Sequence, residues 1–409
     1  MNQPNCRSCS APLEKTFVDL GVSPLSNSYV PLDRASDGER FYPLHALVCG
    51  RCFLVQLEAF ETPESIFGDY AYLSSYSTSW LEHSQRYVAA AIARLGLGTE
   101  DLVMEAASND GYLLQYFVRA GIPVLGIEPA RNVAAIAQER GVRTVSVFLG
   151  GETGAALASE HGKADLVIAN NVIAHVPDVH DFVDGLRALL AENGTISVEF
   201  PHLLRLIEFV QYDTIYHEHF SYFSLHALVT LLKSHALKVI DVEELTTHGG
   251  SLRVWISHSA DARVATASVA KVLEDERRAG LLDLRTYGAF SAHVFEHKAA
   301  LLEFLIGVAR RGKSVAGYGA PAKGNTLLNY CGIKSDLLGY TVDRNPLKQN
   351  TLLPGSRIPV YAPERFAQTK PDFVLILPWN IRDEVVEQNA HVRAWGGRFV
   401  VATPRLEIF

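Results

Sequence analysis

Hydrophobic and polar positions alternate regularly over the middle of the chain, from residue 67 to about residue 255. Four short apolar runs rich in β-branched residues have the pattern of buried strands: DLVMEAA, IPVLGIEP, DLVIANNVI and TISVEFP. Three runs between them have helical periodicity and stop at glycine: YLLQYFVRAG, VAAIAQERG and VHDFVDGLRALLAENG. This alternation predicts an α/β fold with a doubly wound, mainly parallel sheet, whose ligand lies at the carboxyl ends of the strands.

Residues 256–409 begin with helical runs and then return to alternation of strands and helices. ASVAKVLEDERR and GAFSAHVFEHKAALLEFLIGVARRG are helical, and the second places Phe290, Val294, Leu301 and Leu305 at apolar positions. KSVAGYGAPAKGN, LLGYTVDRNP, DFVLILPWN and GRFVVATP are typical of strands that end in turns. We expect a second, smaller Rossmann-like α/β domain here.

Residues 1–66 contain two C-x-x-C pairs separated by short apolar runs. CRSC supplies Cys6 and Cys9, and CGRC supplies Cys49 and Cys52. Four thiolates at this spacing are typical of a tetrahedral zinc ribbon. A segment this small has little core of its own, so the metal would hold it folded, and four protein ligands leave no position for a substrate. We therefore predict a small zinc ribbon-like domain with a structural zinc ion.

Composition places the protein among soluble, globular chains. Of 409 residues, 48% are apolar and 20% are charged, with a net charge of -8 and a pI of about 6.0. That charge argues against nucleic acid or an anionic membrane as a partner. No apolar run approaches the length of a membrane span, and the start MNQPNCRSC lacks a signal-peptide pattern. We expect a cytoplasmic monomer whose paired cysteines bind metal rather than form disulfides.

The first strand of the middle domain leads into the turn EAASNDGYL, which opens a helix. Small residues at Ala107 and Gly111 let the backbone approach a ligand, and Asn109 tolerates unusual backbone angles. The second strand ends in GIEP, where Glu128 is placed to accept both hydroxyl groups of a ribose. Together the turn and the acid predict an adenosine ligand.

Two adenosine cofactors compete for this site, a dinucleotide and S-adenosylmethionine. A dinucleotide turn is usually rich in glycine, whereas this turn has Gly111 alone and is flanked by Glu105 and Asp110. Carboxylates repel pyrophosphate but suit a sulfonium cation and its amino group, so we favour S-adenosylmethionine. Phe148 is placed near the adenine, although an ordinary core position fits it equally well. The residues expected to contact the cofactor are Glu105, Ala107, Asn109, Gly111, Glu128, Pro129, Phe148, Asn170 and Asn171.

The segment DTIYHEHFSYFS, residues 213–224, sets polar residues among apolar ones. An acid-base centre, a catalytic metal site and a structural polar cluster are the alternatives. His217 and His219 share a face only in a strand and have no evident third ligand nearby, which disfavours a metal. Tyr216 and His219 share a face if the segment is helical, which favours acid-base chemistry. We expect His217 to point away from Glu218, toward the surface.

Together these motifs resemble those of the S-adenosylmethionine-dependent sugar C-methyltransferases, which methylate carbon 3 of nucleotide-linked 4-keto-6-deoxy sugars. The similarity covers nearly the whole chain: CRSC, CGRC, PLSNSYV, YAYLSS, EAASNDGYLL, GIEP, NNVIAHVPDV, IYHEHFSYFS, HGGSLR, GYGAPAKGN, DRNPLKQN and LPWN. It implies a zinc-binding domain at 1–66, a class I methyltransferase domain at 67–255 and a C-terminal domain at 256–409. The C-terminal domain would bind the nucleotide-diphosphate sugar, linked to dTDP or GDP.

Two positions depart from the family pattern. His217 stands where an acidic or variable residue is found in the family, which leaves the identity of the substrate open rather than the reaction. Ala107 and Ser108 replace a glycine-containing turn, which could reshape the cofactor loop.

The resemblance implies an active site around the sugar, formed by Tyr216, Glu218, His219, His175 and Tyr72. Removal of a proton beside a ketone needs a base and a donor that stabilises the enolate oxygen. An imidazole titrates near neutral pH, so His219 is the predicted base and His175 is the alternative. Tyr216 would donate to the enolate oxygen or act as the base itself. Glu218 would orient His219 or bind a substituent of the sugar.

The C-terminal turn GYGAPAKGN allows two interpretations. A glycine turn after a strand, with Asp343 at the end of the next strand, is typical of a dinucleotide site, but Pro321 and Lys323 occupy the loop. The resemblance implies that the loop instead binds the diphosphate. Lys348 is equally well a solvated charge. The residues expected to contact the nucleotide sugar are Tyr318, Gly319, Ala320, Lys323, Asn325, Arg253 and Asp343.

Two rival functions stay open from the sequence. The first is an NAD(P)-dependent oxidoreductase that acts on a nucleotide sugar through the C-terminal glycine turn. The second is a non-catalytic, zinc-containing binding protein, for which the region around His219 would be dispensable.

Overall fold

In the computed structural model, which describes residues 4–62, 73–76 and 78–409, the chain forms three β-sheets. The sheets have four, seven and eight strands. They correspond to the zinc ribbon-like, methyltransferase-like and second Rossmann-like parts expected from the sequence, so the predicted fold class is confirmed.

The first part of the chain is built around the two cysteine pairs. Its strands are β1 (Lys15–Ser23), β2 (Val30–Pro31), β3 (Tyr42–Val48) and β4 (Val55–Gln56). β1, β3 and β4 pair in an antiparallel sheet. The two knuckles have the same local structure, because Ser10 and Phe53 both have a φ of 59° and donate their N–H groups to Cys6 O and Cys49 O. A repeated tight turn of this kind brings the four thiols to one point.

The middle part alternates strands and helices as the sequence predicts. Its strands are β5 (Val103–Ala106), β6 (Val124–Ile127), β7 (Thr144–Val145), β8 (Ala164–Asn170), β9 (Leu190–Pro201), β10 (Ser221–Tyr222), β11 (Leu237–Leu245) and β12 (Ser251–His258). Its helices are α1 (Thr78–Leu95), α2 (Leu114–Arg119), α3 (Arg131–Glu139), α4 (Gly151–His161), α5 (Val179–Leu189), α6 (Leu203–Glu208) and α7 (Leu225–Lys233).

The sheet of this part has the order β11-β12-β9-β8-β5-β6-β7. The five strands from β9 to β7 are parallel, and β12 joins them antiparallel to β9. The chain leaves β5 toward β6 and later returns to β8 on the other side, so the carboxyl ends of β5 and β8 flank a topological switch point. That is the place where an open α/β sheet binds its ligand.

One predicted helix is too long. The run VHDFVDGLRALLAENG predicts a helix as far as Gly194, but α5 ends at Leu189 and the strand begins at once. Leu190 is fully buried and pairs with Ala164 at the start of β8. Pairing with the sheet therefore overrides the helical propensity of the residues that follow.

The C-terminal part opens with two long helices and ends in the third sheet. Its helices are α8 (Ala267–Arg278), α9 (Leu284–Arg310), α10 (Ala322–Cys331), α11 (Arg365–Thr369) and α12 (Arg382–Gln388). Its strands are β13 (Val315–Tyr318), β14 (Thr341–Val342), β15 (Thr351–Leu352), β16 (Pro359–Tyr361), β17 (Phe373–Ile376), β18 (Arg398–Val401) and β19 (Glu407–Ile408). The predicted core face of α9 is confirmed, because Phe290, Val294, Leu301 and Leu305 are buried.

Two short strands tie the three parts together. β10, from the middle of the chain, pairs with β4 and completes the N-terminal sheet. β2, from the N-terminal part, pairs with β15 at the edge of the C-terminal sheet. Within the described ranges, none of the helices has both the length and the apolar character that crossing a bilayer requires.

Candidate active site between the two α/β domains

The four cysteines of the N-terminal knuckles form a compact cluster. Their Sγ atoms all lie within 4.8 Å of one another, and the pairs Cys6/Cys52 and Cys9/Cys49 are 3.5 Å apart. Tetrahedral zinc with Zn–S bonds of about 2.3 Å places sulfurs about 3.8 Å apart, so the cluster fits the metal. Among the described residues this is the one cluster of metal-binding side chains, and it does not face the cavity described next.

A cavity of about 1770 Å³ is lined by residues of all three parts of the chain. The N-terminal part contributes Asn27 and Tyr29, and the middle part contributes the turns after β5, β6 and β8. The C-terminal part contributes the turn after β13 and the residues before α12. The cavity thus joins the predicted cofactor site to the predicted sugar site.

The turn after β5 forms one end of this cavity. Ala107 and Asn109 line it and have φ values of 52° and 50°, in the left-handed region that L-residues rarely adopt. Gly111 has a φ of 74°, and a Cβ atom there would lie 2.8 Å from Cγ2 of Val142. Gly111 is therefore needed for backbone conformation and close packing, and it is not among the described residues that line the cavity.

Glu128 closes the turn from the end of β6. Its Oε2 accepts a hydrogen bond from the N–H of Asn109 and its Oε1 accepts one from the N–H of Ala130, both at 2.9 Å. Burial raises the pKa of this carboxyl group, and the two amides counteract that effect. Each carboxylate oxygen can accept more than one hydrogen bond, so Glu128 can hold the turn and still accept from ribose hydroxyl groups.

The other two carboxyl groups of the turn are buried. Asp110 is buried and pairs with Arg140, whose Nη1 lies 2.8 Å from Asp110 Oδ2. It therefore serves an ion pair rather than a cationic ligand, contrary to the interpretation of the sequence. Glu105 is also buried, and burial raises its pKa well above the usual value. Neither is among the described residues that line the cavity.

The end of β8 places two amide side chains in the cavity. Asn171 has a φ of 55° and donates its N–H to Glu199 O at 2.6 Å. Asn170 Oδ1 and both polar atoms of the Asn171 side chain are buried, without a hydrogen-bond partner among the described residues. Buried amides without partners are costly, so they suit a polar ligand. With Pro129 and the 38% exposed ring of Phe148 in the same cavity, this end fits S-adenosylmethionine.

We expect the Glu128→Gln variant to bind S-adenosylmethionine roughly 10- to 100-fold more weakly, because an amide cannot accept with both of its terminal atoms. Isothermal titration measures this affinity directly. Glu139→Gln, at an exposed position at the end of α3, is the matched control and is expected to leave the affinity unchanged. Equal affinities of wild type and Glu128→Gln would contradict the assignment of Glu128.

A tight turn brings the proposed acid-base residues together. His219 N–H donates to Tyr216 O at 2.8 Å, and the two rings lie with centroids 4.0 Å apart. The ring of His175, from the turn after β8, lies 4.6 Å from that of His219. The sequence predicted the proximity of Tyr216 and His219 through a helix, but a turn produces it. Tyr72, the remaining member of the predicted set, lies outside the described residues.

Backbone carbonyl groups fix the tautomers of both histidines. His175 Nδ1 donates to Glu218 O at 2.8 Å, and His219 Nδ1 donates to Thr214 O at 2.9 Å. A carbonyl only accepts, so each neutral ring carries its proton on Nδ1 and has its lone pair on Nε2. Burial lowers the pKa of His175 to about 4 and lowers that of His219 well below its usual value. Both rings are therefore neutral at pH 7, and their Nε2 atoms are proton acceptors.

The carboxyl group of Glu218 is held by Asn27, a residue of the N-terminal part of the chain. Nδ2 of Asn27 donates to Oε1 at 2.7 Å and to Oε2 at 2.9 Å. Burial raises the pKa of Glu218 to about 7, and Asn27 and Lys348 act against that rise. Thr214, not this carboxylate, orients His219, so of the two roles predicted for Glu218 the contact with a sugar substituent is the better supported.

His217 is buried, and the prediction that it lies at the surface is wrong. It is 4% exposed, and its Nε2 donates to Pro43 O at 3.1 Å. The rings of Tyr42 and Phe60 pack against it at 5.8 Å and 6.3 Å. Its ring packs on the N-terminal part of the chain rather than lying in solvent. The sequence could not show that a second domain covers this side of the turn.

The C-terminal glycine turn differs from the expected phosphate site. The N–H of Gly319 donates to Val342 O at 2.6 Å, and the N–H of Ala320 donates to Asp343 Oδ2 at 2.7 Å. Both amides are therefore unavailable to a phosphate. The side chain of Lys323 lines the cavity, lies over the Trp379 ring at 4.4 Å and hydrogen-bonds to Asn380.

Four of the seven predicted substrate residues line the cavity, namely Tyr318, Gly319, Lys323 and Asp343. Ala320, Asn325 and Arg253 are not among the described residues that line it. Asn325 is buried and donates to Ser26 O at 2.6 Å, so it ties the N-terminal part to α10. Arg253 is buried in an ion pair with Glu199 at 2.7 Å. Both are engaged in structural contacts.

Several cavity residues were not singled out from the sequence. The ring centroids of Trp80 and His248 lie 5.1 Å apart, and burial lowers the pKa of His248 to about 4. Trp379 donates its Nε1–H to Asp213 at 2.6 Å. Burial raises the pKa of Asp213 to about 6. The motifs HGGSLR and LPWN already contained His248 and Trp379, but only the fold shows that both face the cavity.

Comparison with known proteins supports the division into three parts. Residues 6–67 match the family model "Putative zinc binding domain", residues 80–242 match "Methyltransferase domain", and residues 246–404 match "C-methyltransferase C-terminal domain". A relative among curated proteins is C-methyltransferase NovU of Streptomyces niveus. It is 40% identical over 399 residues, which cover 98% of this chain and 95% of that protein.

Solved methyltransferase structures resemble about half of the chain. Magnesium protoporphyrin IX methyltransferase of Synechocystis PCC 6803, with bound S-adenosylmethionine, is 17% identical and has a TM-score of 0.34, covering 48% of this chain and 88% of that one. A SAM-dependent methyltransferase of Anabaena variabilis ATCC 29413 is 16% identical and has a TM-score of 0.36, covering 50% of this chain and 99% of that one.

Proposed function

We propose that this chain, which belongs to the family of S-adenosylmethionine-dependent C-methyltransferases, methylates carbon 3 of a nucleotide-linked 4-keto-6-deoxy sugar. The observation that carries the proposal is the pair of neutral imidazoles, His175 and His219, in a cavity that joins the cofactor turn to the C-terminal domain. Methylation of oxygen or nitrogen does not require so many proton-transfer groups, because those atoms are already nucleophilic.

The two ends of the cavity support a substrate that reaches from one α/β domain to the other. The end near Asn170 and Glu128 suits the adenosine cofactor. At the other end, Lys323 and Arg344 line the cavity and suit the diphosphate of a nucleotide sugar. The sugar ring would then lie between them, beside Tyr216 and His219.

The proposed reaction begins with removal of the proton on carbon 3. The C–H bond breaks, its proton passes to Nε2 of His219, and the electron pair forms the enolate with the oxygen on carbon 4. In this proposal Tyr216 donates to that oxygen, because such a donor stabilises the charge as it forms. S-adenosylmethionine would supply the electrophilic methyl group. As carbon 3 bonds to that methyl group, the sulfur–methyl bond would break and leave S-adenosylhomocysteine, and the carbonyl group on carbon 4 would form again. His219 finally returns its proton to solvent, and no covalent enzyme intermediate is needed.

Glu218 is proposed to accept a hydrogen bond from a hydroxyl or amino group of the sugar in its ionised form. Because its pKa is raised to about 7, we expect kcat/KM to rise with pH through about 7. Glu218→Gln is expected to lack that rise and to lose about 10- to 100-fold in kcat/KM at pH 8. A pH profile of both enzymes makes the comparison, and an identical profile for the variant would contradict this role.

The same shift has a consequence for stability with a defined sign. The folded-state pKa of Glu218, about 7, lies above the usual value of 4.5, so its contribution to stability is full below pH 4.5 and is lost as the pH rises through 7. Glu218→Gln has no such term. As the pH rises from 5.5 to 8, the wild type is expected to lose stability that the variant keeps. The difference between their unfolding temperatures is therefore expected to shift in favour of the variant, as measured by thermal unfolding at both pH values.

The function is tested with the purified protein, S-adenosylmethionine and the dTDP- and GDP-linked 4-keto-6-deoxy sugars in deuterated water. We expect a product with one added methyl group, located on carbon 3 by NMR. Without the cofactor, we expect exchange of the carbon 3 proton for deuterium. Absence of both exchange and transfer with either sugar would refute the proposal. Titration with NAD is the control, and binding well below millimolar would favour an oxidoreductase instead.

A further inference from the structure

We propose that Arg7, which lies between two of the zinc-binding cysteines, is a positioning residue that holds His175 and His219 in their working arrangement. The inference rests on the proposed function, because that function assigns proton removal to His219, with His175 as the second neutral imidazole beside it. Arg7 is not among the described residues that line the cavity, so it acts on the reaction only through the segments that it contacts.

The guanidinium group of Arg7 joins three separate segments of the chain. Its Nη1 donates to Pro177 O at 3.0 Å, two residues after His175. Its Nη2 donates to Leu57 O, directly after β4. Its Cζ lies 5.5 Å from the ring centroid of Phe220, the residue after His219. One planar cation thus fixes both histidine segments relative to the zinc domain.

The segments that Arg7 joins also bond to one another through the peptide groups of Phe220. The N–H of Phe220 donates to Ala174 O at 2.7 Å, and its carbonyl accepts from the N–H of Leu57 at 3.0 Å. β10 continues this pairing with β4, Ser221 opposite Gln56. These bonds and the guanidinium group of Arg7 together fix the distance between His175 and His219.

The zinc knuckle holds the backbone of Arg7 rigidly. The N–H of Arg7 donates to Gln56 Oε1 at 2.9 Å, and Nε2 of the same glutamine donates to Cys6 Sγ at 3.2 Å. The carbonyl of Ser8 accepts from His180 Nε2 at 2.9 Å. The cysteine cluster thereby acquires a second use: besides keeping its domain folded, it anchors an arginine whose side chain organises the site.

This role needs the planar guanidinium group of arginine, whose donors point in fixed directions. Arg7 spans two carbonyl oxygens and an aromatic face at once, and a guanidinium group is charged at neutral pH. Lysine would keep the charge but could not bond to both carbonyl groups in the same plane. Displacement of a catalytic group by about 1 Å costs on the order of 100-fold in rate.

The test compares Arg7→Gln with Arg51→Gln, because Arg51 belongs to the other knuckle and is exposed. We expect Arg7→Gln to lower kcat by about 10- to 100-fold, with KM for the nucleotide sugar and affinity for S-adenosylmethionine within about threefold of wild type. Zinc content per chain is expected to stay unchanged in both variants, and Arg51→Gln is expected to keep full activity. Arg7→Lys should fall between wild type and Arg7→Gln.

Amide hydrogen exchange gives a measure that needs no substrate. In Arg7→Gln, we expect faster exchange in residues 174–178 and 217–222, which include the bond from Phe220 to Ala174. Arg51→Gln should show the wild-type pattern. Added guanidinium chloride is further expected to restore part of the kcat of Arg7→Ala, which a general loss of stability would not show.

The possible outcomes separate this inference from the proposed function. Unchanged kcat in Arg7→Gln, unchanged exchange in both segments, or loss of zinc from that variant would each overturn the role of Arg7. If Arg7→Gln does not fold, Arg7→Lys decides by the same exchange and kcat measurements. If wild type transfers no methyl group to any sugar, the proposed function fails, while the exchange comparison still decides whether Arg7 organises the two segments.

Discussion

Replacing His219 with glutamine is expected to lower the rate of methyl transfer by roughly 100- to 10,000-fold, the usual contribution of a positioned base. Glutamine is close to histidine in volume and keeps a polar group in the turn, although its amide nitrogen reaches the position of Nε2 rather than that of Nδ1, the donor to Thr214 O. What disappears is the lone pair on Nε2. Single-turnover measurements of methyl transfer give the rate, and titration with S-adenosylmethionine is expected to show affinity within about twofold of wild type.

The matched control for this variant is His217→Gln. His217 is also buried in the same turn, but it donates to Pro43 O and packs on the rings of Tyr42 and Phe60. We expect this variant to keep most of its turnover and to lose some thermal stability, so both proteins are compared below their unfolding temperatures. Similar losses of rate in the two variants would mean that the turn, rather than the imidazole of His219, is required.

Replacing Cys52 with serine is expected to remove zinc and activity together. Structural zinc contributes on the order of 10 kcal/mol to the folding of a small domain, far more than a single side-chain contact. Here the loss extends beyond that domain, because β10 pairs with β4 and carries the segment after His219. Zinc content measured by mass spectrometry, thermal unfolding and turnover are expected to fall in parallel.

Cys331→Ser serves as the control for the cysteine substitution. Cys331 is buried in the C-terminal part, where its Sγ contacts the Tyr212 hydroxyl at 3.5 Å, far from the cluster of four thiols. A hydroxyl group can replace that contact, so this variant is expected to retain zinc and turnover. A Cys52→Ser protein that keeps full activity without zinc would show that the metal is dispensable.

Local patterns in the sequence predicted most of the fold. The run ASVAKVLEDERR coincides with α8, and the strand-like runs coincide with β5, β6, β8 and β9. These elements follow from apolar periodicity, which each segment carries by itself. The predicted end of α5 was wrong because it depends on a tertiary contact. The pairing of Leu190 with Ala164 overrides the local helical propensity.

The candidate site was predictable where a motif carries its own chemistry, and not where distant segments meet. The four cysteines and the position of Glu128 beside the turn follow from spacing. The bonds from Asn27 to Glu218 join residues 191 positions apart, and no local pattern indicates them. The family resemblance likewise placed the turn with Gly319 and Ala320 at the diphosphate. That expectation missed the hydrogen bonds that their amides make to Val342 and Asp343, which become visible only when the strands are paired.

The short strand β2 has a consequence for the order in which the protein is made. Residues 30–31 leave the ribosome early, but their partner β15 begins only at residue 351. Asn27 and Tyr29 lie just before β2, and both line the cavity. A nascent chain can fold its zinc knuckles and its first α/β sheet long before these residues reach their final places. The cavity is therefore completed late, and a protein that stops before β15 lacks the strand with which β2 pairs.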